Sequence, residues 1–479
     1  MMPVVLWTDA LVFLLVAAAV GAGFYIRRRE YLLASWRRVG ESRAGMAALT
    51  VLLAFVAVGL LDSLHYRARL EAVGGKAAAG YSTEVRSALD ALLQPLKAAT
   101  ERTYSAPLAT HLYAKETVEL PDGSQARLFP RLKHGGAHLK DVEAGWGRDV
   151  ALRILRGLAL AVLGWLTFSA LAVLAAARHW GTGWPAAWRR IWRGETHFAW
   201  NAVLVMLGVL LLLAGPVVSL AGGYHVFGTD KVGQDVLYLT LKSIRTGLVI
   251  GTITTLAMLP FAVALGIAAG YLGGWVDDVI QYVYTTLNSI PDVLLIAASV
   301  LMVQVAIDTH PDWFATAAQR ADARLLALCL IIGVTNWTGL CRLLRAETLK
   351  LRELEYVQAA QAFGASASRV MGRHVLPNVM HIVLIAVVMD FSGLVLAEAV
   401  LSYIGIGVDP STISFGTMIN TARLELAREP VVWWSLVAAF AFMFVLVLAA
   451  NLFSDAVRDA FDPRVASRRI AFATQRKGA

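Results

Sequence analysis

Charge is scarce in this chain of 479 residues. Asp, Glu, Lys and Arg together make up 16% of it, hydrophobic residues 58%, and the mean hydropathy is +0.61. That composition lies outside the range of soluble domains and points to a membrane protein. Cysteine is nearly absent: two residues exclude a disulfide scaffold, and Cys329 and Cys341, in one apolar segment, read as packing residues. No Gly-rich loop ending in Gly-Lys-Ser/Thr occurs, so this chain is not expected to bind ATP. His-Glu-x-x-His, Gly-x-Ser-x-Gly and Cys-x-x-Cys are likewise missing, so no catalytic residue, cofactor or metal is assigned to it. The net charge of +9 does not imply nucleic acid, because the basic residues cluster beside apolar segments, the footprint of membrane topology.

What the chain does have is long apolar runs. Stretches able to cross about 30 Å of hydrocarbon lie near 8–26, 44–62, 151–177, 198–222, 242–271, 278–305, 323–341, 379–404 and 432–453. They predict an all-α polytopic protein of about nine transmembrane helices. The first run lacks a basic leader and is followed by Arg27, Arg28 and Arg29, which reads as an anchor rather than a cleaved signal. Six arginines lie between residues 27 and 43, four between 178 and 193, and six Lys/Arg from Arg458 onward. A further set, Arg342, Arg345, Lys350, Arg352, Arg369 and Arg373, precedes the eighth run, while the alternate loops are poorer. This asymmetry predicts a multi-pass protein with its N-terminus outside and its C-terminus in the cytoplasm.

One long external loop, about 62–148, carries twelve Lys/Arg, which long loops tolerate during translocation. Within it the apolar residues Val85, Leu89, Leu92, Leu93 and Leu96 recur at helical spacing behind Thr83, a candidate N-cap, and predict a helix over 83–102. Residues 117–120 and 126–129, around Pro121-Asp122-Gly123, read as a hairpin. His111, His134 and His138 lie here without a carboxylate or cysteine completing a ligand set, and are read as surface histidines. Gly147-Arg148-Asp149-Val150 echoes Gly233-Gln234-Asp235-Val236, each before an apolar run, a faint trace of duplication or a chance match.

A polar island at 355–378 interrupts the apolar second half. It holds small residues at Ala359, Ala360 and Ala362, a glycine at Gly364, then Arg369, Arg373, His374 and Leu376-Pro377. Alanines favour helix and a glycine costs about 1 kcal/mol inside one. A short helix, a turn near Gly364 and a second helix ending before Pro377 are therefore expected, a compact hairpin able to seat against another protein.

These residues resemble the coupling segment of bacterial ABC-transporter membrane subunits: Gln358-Ala359-Ala360, then Gly364, then His374, Leu376 and Pro377. Gln358 stands where glutamate is usual, with Glu355 one turn earlier, and His374 where isoleucine is usual. The resemblance extends along roughly 198–465. Gly228-Thr229-Asp230 with Gly233, Gln234 and Asp235 is similar to the external signature of dipeptide/oligopeptide-type permeases. Gly270 to Asp277, Ile290-Pro291, Leu396 to Val408, and Asn451 to Arg464 also match that family. It implies that the last six spans form a type I ABC importer permease core. The domains expected are a transmembrane hairpin at 1–64, an extracytoplasmic insert at 65–150, and an extra helix and cytoplasmic loop at 151–197. The permease domain at 198–465 and a basic tail at 466–479 complete the chain.

The resemblance further implies a protein of the bacterial cytoplasmic (inner) membrane that transports di- or oligopeptides by alternating access, with nickel or other metal chelates, opines or sugars as alternative cargo within the same class. ATP and Mg would be bound by two partner ATPase subunits, beside a second homologous permease and an extracytoplasmic substrate-binding protein. Residues 355–377 would dock on an ATPase subunit, Thr229, Asp230 and Asp235 would organise a segment near the binding protein, and Glu398 belongs to the family pattern. Acidic groups within apolar spans are costly and so are candidates for the translocation pathway. Asp390 and Glu398 lead, with Asp292 and Asn336 behind them. A stand-alone secondary transporter would need paired intramembrane ionisable residues, against which the isolated Asp390 and the coupling stretch argue. A non-transporting scaffold or sensor would be built on the first four spans and the insert at 62–148.

Overall fold

The structure, a computed structural model, describes residues 2–69, 81–119 and 125–461. The turn expected at 121–123, the end of the matching stretch at 462–464 and the tail at 466–479 lie outside the described residues. Among the described residues nine helices are long and apolar enough to cross a membrane. Eight coincide with the expected runs. The sixth differs: in place of one helix over 278–305 there are two, Gly274–Ser289 and Asp292–Thr309, and only the second qualifies as a span. Pro291 is the reason. It holds Ile290 in extended backbone (φ −93°, ψ 131°), which ends the first helix before it has crossed.

The chain divides into two compact units, which cut across the expected domain boundaries. One unit contains residues 2–4, Phe24–Thr246 and Ile413–Ala456. Its strands Met2–Val4, His65–Arg69 and Tyr81–Ser87 form an antiparallel sheet in which Met2 faces Arg67 and His65 faces Ser87. The helix expected over 83–102 therefore starts later. Thr83 and Val85 belong to a strand, and the capping residue is Ser87, whose hydroxyl accepts the Asp90 N–H at 3.0 Å while Asp90 accepts the Ser87 N–H in return. Pro95 then divides the helical part into Ala88–Leu92 and Gln94–Ala98. The predicted hairpin is present as Glu116–Glu119 paired with Gln125–Leu128. Helices Val142–Trp180 and Trp200–Ala221 pack side by side, and the Trp165 indole donates to the Leu204 carbonyl at 2.8 Å.

The second unit contains Val5–Gly23, Gly247–Thr412 and, of the described residues, 457–461. Its largest core joins Met258, Ala262, Ile267, Trp337, Cys341 and Leu344 to Val357, Val370, Val375 and Val379. Both cysteines are free and fully buried. The start of the first span is tied down here: the Thr8 N–H donates to Asp322 Oδ2 at 3.1 Å, and Leu11 and Val12 pack on a core of Ile250, Leu325 and Ile332.

Candidate functional site

The polar island begins as the helix Glu355–Ala362, entered from the helix Thr338–Arg352. Its inward residue is Val357, fully buried. Gln361 Nε2 donates to the Tyr271 hydroxyl at 2.9 Å and fixes the helix from the same side. Its outward face carries Glu355, Gln358 and Ala359, with Gln358 Nε2 donating to the Glu353 carbonyl at 3.3 Å; Ala360 is half-buried. The helix ends at Phe363, and Gly364 turns the chain with φ +78°, a conformation L side chains rarely adopt. Open space surrounds the position where a Gly364 side chain would project. Phe363 is 91% exposed, a whole aromatic ring at the tip of the turn.

The chain returns through the helix Ala367–Val370 and a wide π turn, Met371–Val375, into the helix Leu376–Ile404. The second helix thus does not end before Pro377, contrary to the expectation from the proline. Pro377 falls in the first turn of Leu376–Ile404, where a missing N–H leaves little unmatched, and the wide turn accommodates the ring. Val370 and Val375 are fully buried, as is Val379 one turn further. Asn378 Nδ2 donates to the Tyr356 hydroxyl at 3.0 Å and to the His374 carbonyl at 2.6 Å, closing the two arms on each other. The hairpin is therefore one piece with the helix that follows it. Beside it, Arg345 holds Asp277 through two bonds of 2.6 Å, and the guanidinium keeps that carboxyl below its usual range.

The intramembrane candidates separate. Asp390 is half-buried and, among the described residues, has no hydrogen bond or ion pair. Met389, Leu396 and Val400 are exposed near it along the helix. Glu398 is 1% exposed and accepts the Ser402 hydroxyl at 2.7 Å, inside the unit and away from any surface. Asn336 is exposed but turned onto its own helix, donating to the Ile332 carbonyl at 2.9 Å, and Asp292 is exposed in the first turn after Pro291.

The signature at 228–235 forms a closed turn. Asp230 accepts the Val232 and Gln234 N–H groups at 3.0 and 2.8 Å, and Asp235 caps the helix Val236–Leu272 by accepting from Leu237 and Tyr238 at 2.9 and 3.2 Å. Thr229 is fully buried and donates to the Thr103 carbonyl at 2.9 Å, while the Trp434 indole donates to the Thr229 carbonyl at 2.9 Å. Gly228 and Gly233 both have positive φ, and a Cβ on Gly233 would lie 2.0 Å from the Glu101 carbonyl oxygen. Its echo at 147–150 is not equivalent, because Asp149 lies within the helix Val142–Trp180, paired with His138 and Arg153.

At the centre of this junction is His225, buried between Asp235 (Nδ1 to Oδ2, 2.7 Å) and Glu101 (Nε2 to Oε1, 3.4 Å). Burial alone would lower its pKa, but the two carboxylates outweigh that and raise it to about 9. Burial likewise works to raise Glu101, yet His225 and the N–H groups of Lys133, His134 and Gly135 bring it down to about 2. Neither residue stands out in sequence, being a single polar residue in a turn and a glutamate far upstream. Phe363 was hidden similarly: among apolar neighbours only its position before Gly364 hinted that it would be outside.

A family model described as "binding-protein-dependent transport system inner membrane component" matches residues 262–467. The chain is 30% identical over 248 residues to the oligopeptide transport system permease protein OppC of Mycobacterium tuberculosis, spanning 52% of this chain and 79% of that protein. It is 32% identical over 240 residues to the dipeptide transport system permease protein DppC of Lactococcus lactis, 50% of this chain and 64% of that one. With the DppC protein of Bacillus subtilis it shares 26% over 293 residues, 58% and 85% of the two chains.

Proposed function

This chain belongs to the family of inner-membrane components of binding-protein-dependent transport systems, and from that premise we propose that it is one permease subunit of an ATP-driven importer of di- and oligopeptides. It forms half of the translocation pathway beside a second homologous permease. Two ATPase subunits bind ATP and Mg, and a substrate-binding protein delivers cargo from outside. The observation that carries this reading is the hairpin at 355–377, which offers Phe363, Gln358 and Ala359 to a partner while Val357, Val370 and Val375 bury its other face. An exposed aromatic at a rigid tip suits a cleft in another protein. Glu355, Gly364, His374, Leu376 and Pro377 shape that lever, so a displacement at the tip is passed to the helix Leu376–Ile404. Asp390 faces the pathway and receives the cationic end of the cargo.

Strand pairing and charge both support the orientation expected from the sequence. Met2–Val4 pairs with His65–Arg69, so the segments before the first span and after the second lie on one side, as two crossings require. With the arginine-rich loops in the cytoplasm, the N-terminus and the insert are outside. The test is uptake by proteoliposomes containing the co-purified subunits. Labelled peptide should accumulate only with ATP inside and binding protein outside. Accumulation driven by an ion gradient without ATP would replace this reading with a stand-alone carrier.

A further inference from the structure

Two of the arginine-rich loops meet at the ends of two spans. The helix Glu30–Glu41 runs into Arg43–Asp62, and the helix Trp184–Arg193 runs into Trp200–Ala221. They are clipped together where the Ala199 N–H donates to the Gly40 carbonyl at 2.8 Å and the Phe198 ring lies against Gly40. Between them is an open recess of about 380 Å³ whose lining includes Glu41, Arg43, Arg190, Glu195, His197 and Asn201. Its depth relative to a bilayer is set by Arg43 and Asn201, one the first residue of a candidate span and the other the second. The helix Trp184–Arg193 buries Ala187 and Ile191 and leaves Trp184 63% exposed, with Trp188 and Trp192 on successive turns. Tryptophan and arginine on one short amphipathic helix are the composition of the headgroup layer.

The recess holds charges of both signs that are not spent on each other. Among the described residues Glu41, Arg43, Arg190 and Glu195 form no ion pair. Arg190 is nevertheless held in place: its Nε donates to the Glu195 carbonyl at 3.1 Å and its guanidinium lies 4.9 Å from the Trp180 ring centre. Arg43 reaches the left-handed C-cap at Gly194, beside the Asn201 amide. The geometry points to a binding site for a membrane lipid whose headgroup carries a phosphodiester and a primary ammonium, as phosphatidylethanolamine does. Arg43 and Arg190 present guanidinium forks to the phosphate, and Glu41 and Glu195 accept from the ammonium. A quaternary ammonium has no N–H to donate to them, and a purely anionic headgroup leaves both carboxylates unmatched.

The test is native mass spectrometry of the full-length chain, with whatever subunits accompany it, exchanged with phosphatidylethanolamine, phosphatidylcholine or phosphatidylglycerol of equal acyl chains. Wild type should retain phosphatidylethanolamine about tenfold more than either of the others. Arg43→Gln with Arg190→Gln should remove retention of all phosphate headgroups, whereas Glu41→Gln with Glu195→Gln should keep retention and remove the preference for ethanolamine over both choline and glycerol. Should the arginine pair fail to fold, judged by thermal unfolding, Arg43→Lys with Arg190→Lys keeps the charge without the fork and should lose part of the retention. Equal retention of the three lipids by wild type would overturn the site, as would unchanged selectivity in both double variants. Displacement of bound lipid by millimolar free phosphoethanolamine would also overturn it, showing a soluble-ligand site.

Discussion

His225 is the residue on which the junction between the insert and the signature loop turns. Because its pKa in the folded protein, about 9, lies above its ordinary value of 6.5, the stabilisation it brings is complete below pH 6.5 and is lost as pH rises through 9. Glu101, at about 2, contributes in the other direction, its share lost only as pH falls from 4.5 towards 2. Thermal unfolding of the full-length chain in detergent should therefore show highest stability between about pH 4.5 and 6.5 and a decline towards pH 9 worth up to about 3 kcal/mol. His225→Gln should flatten the alkaline part of that profile. An unchanged slope in the variant would mean that the histidine is neutral in its pocket. Asp390 carries a second prediction at this scale. Asp390→Asn should lower transport of peptides with a basic N-terminal residue by about tenfold and spare assembly, since losing one charge–charge contact at a partly desolvated site is of that order. Equal uptake of basic and neutral peptides by wild type and variant would remove Asp390 from the pathway.

Among the elements, the hairpin at 355–377 separates docking from folding. Phe363 contacts almost nothing in its own chain, so Phe363→Ala should leave the unfolding temperature unchanged and reduce peptide-stimulated ATP hydrolysis in the assembled transporter severalfold. Val357→Ala should act in the opposite order, costing about 2 kcal/mol of stability through the cavity it leaves. A Phe363→Ala variant that hydrolyses ATP and transports like wild type would show that the tip is not the contact. The helix, the Gly364 turn and its polar face were legible from alanine content and one glycine, because those are local propensities. Their continuation through Pro377 was not, since a π turn depends on packing at Val375 and Val379. The same divide explains the strand at 81–87. Val85 and Leu89 fit helical spacing, but pairing with His65–Arg69 is non-local and outweighed it. At Ile290-Pro291 a span was expected to continue although the proline itself marked the break.

For the molecule as a whole, eight of nine spans could be read from apolar length alone, because a bilayer imposes one dimension on every helix that crosses it. What length does not encode is the pairing of segments far apart in sequence. The insert does not stand by itself: Glu101, Thr103 and Ser105 are bonded to the loop at 225–235, and Asp62 and Asp90 share the Lys242 ammonium at 2.6 and 3.2 Å. The insert and the signature loop thus form one junction. Coupling of the hairpin to an ATPase is tested by affinity purification of wild type and Gly364→Asp from native membranes in mild detergent. Wild type should bring down an ATPase subunit and a second permease, and the variant should keep the permease and lose the ATPase. A wild-type chain that comes down without an ATPase, or a variant that retains it in full, would show that the hairpin is not the docking element.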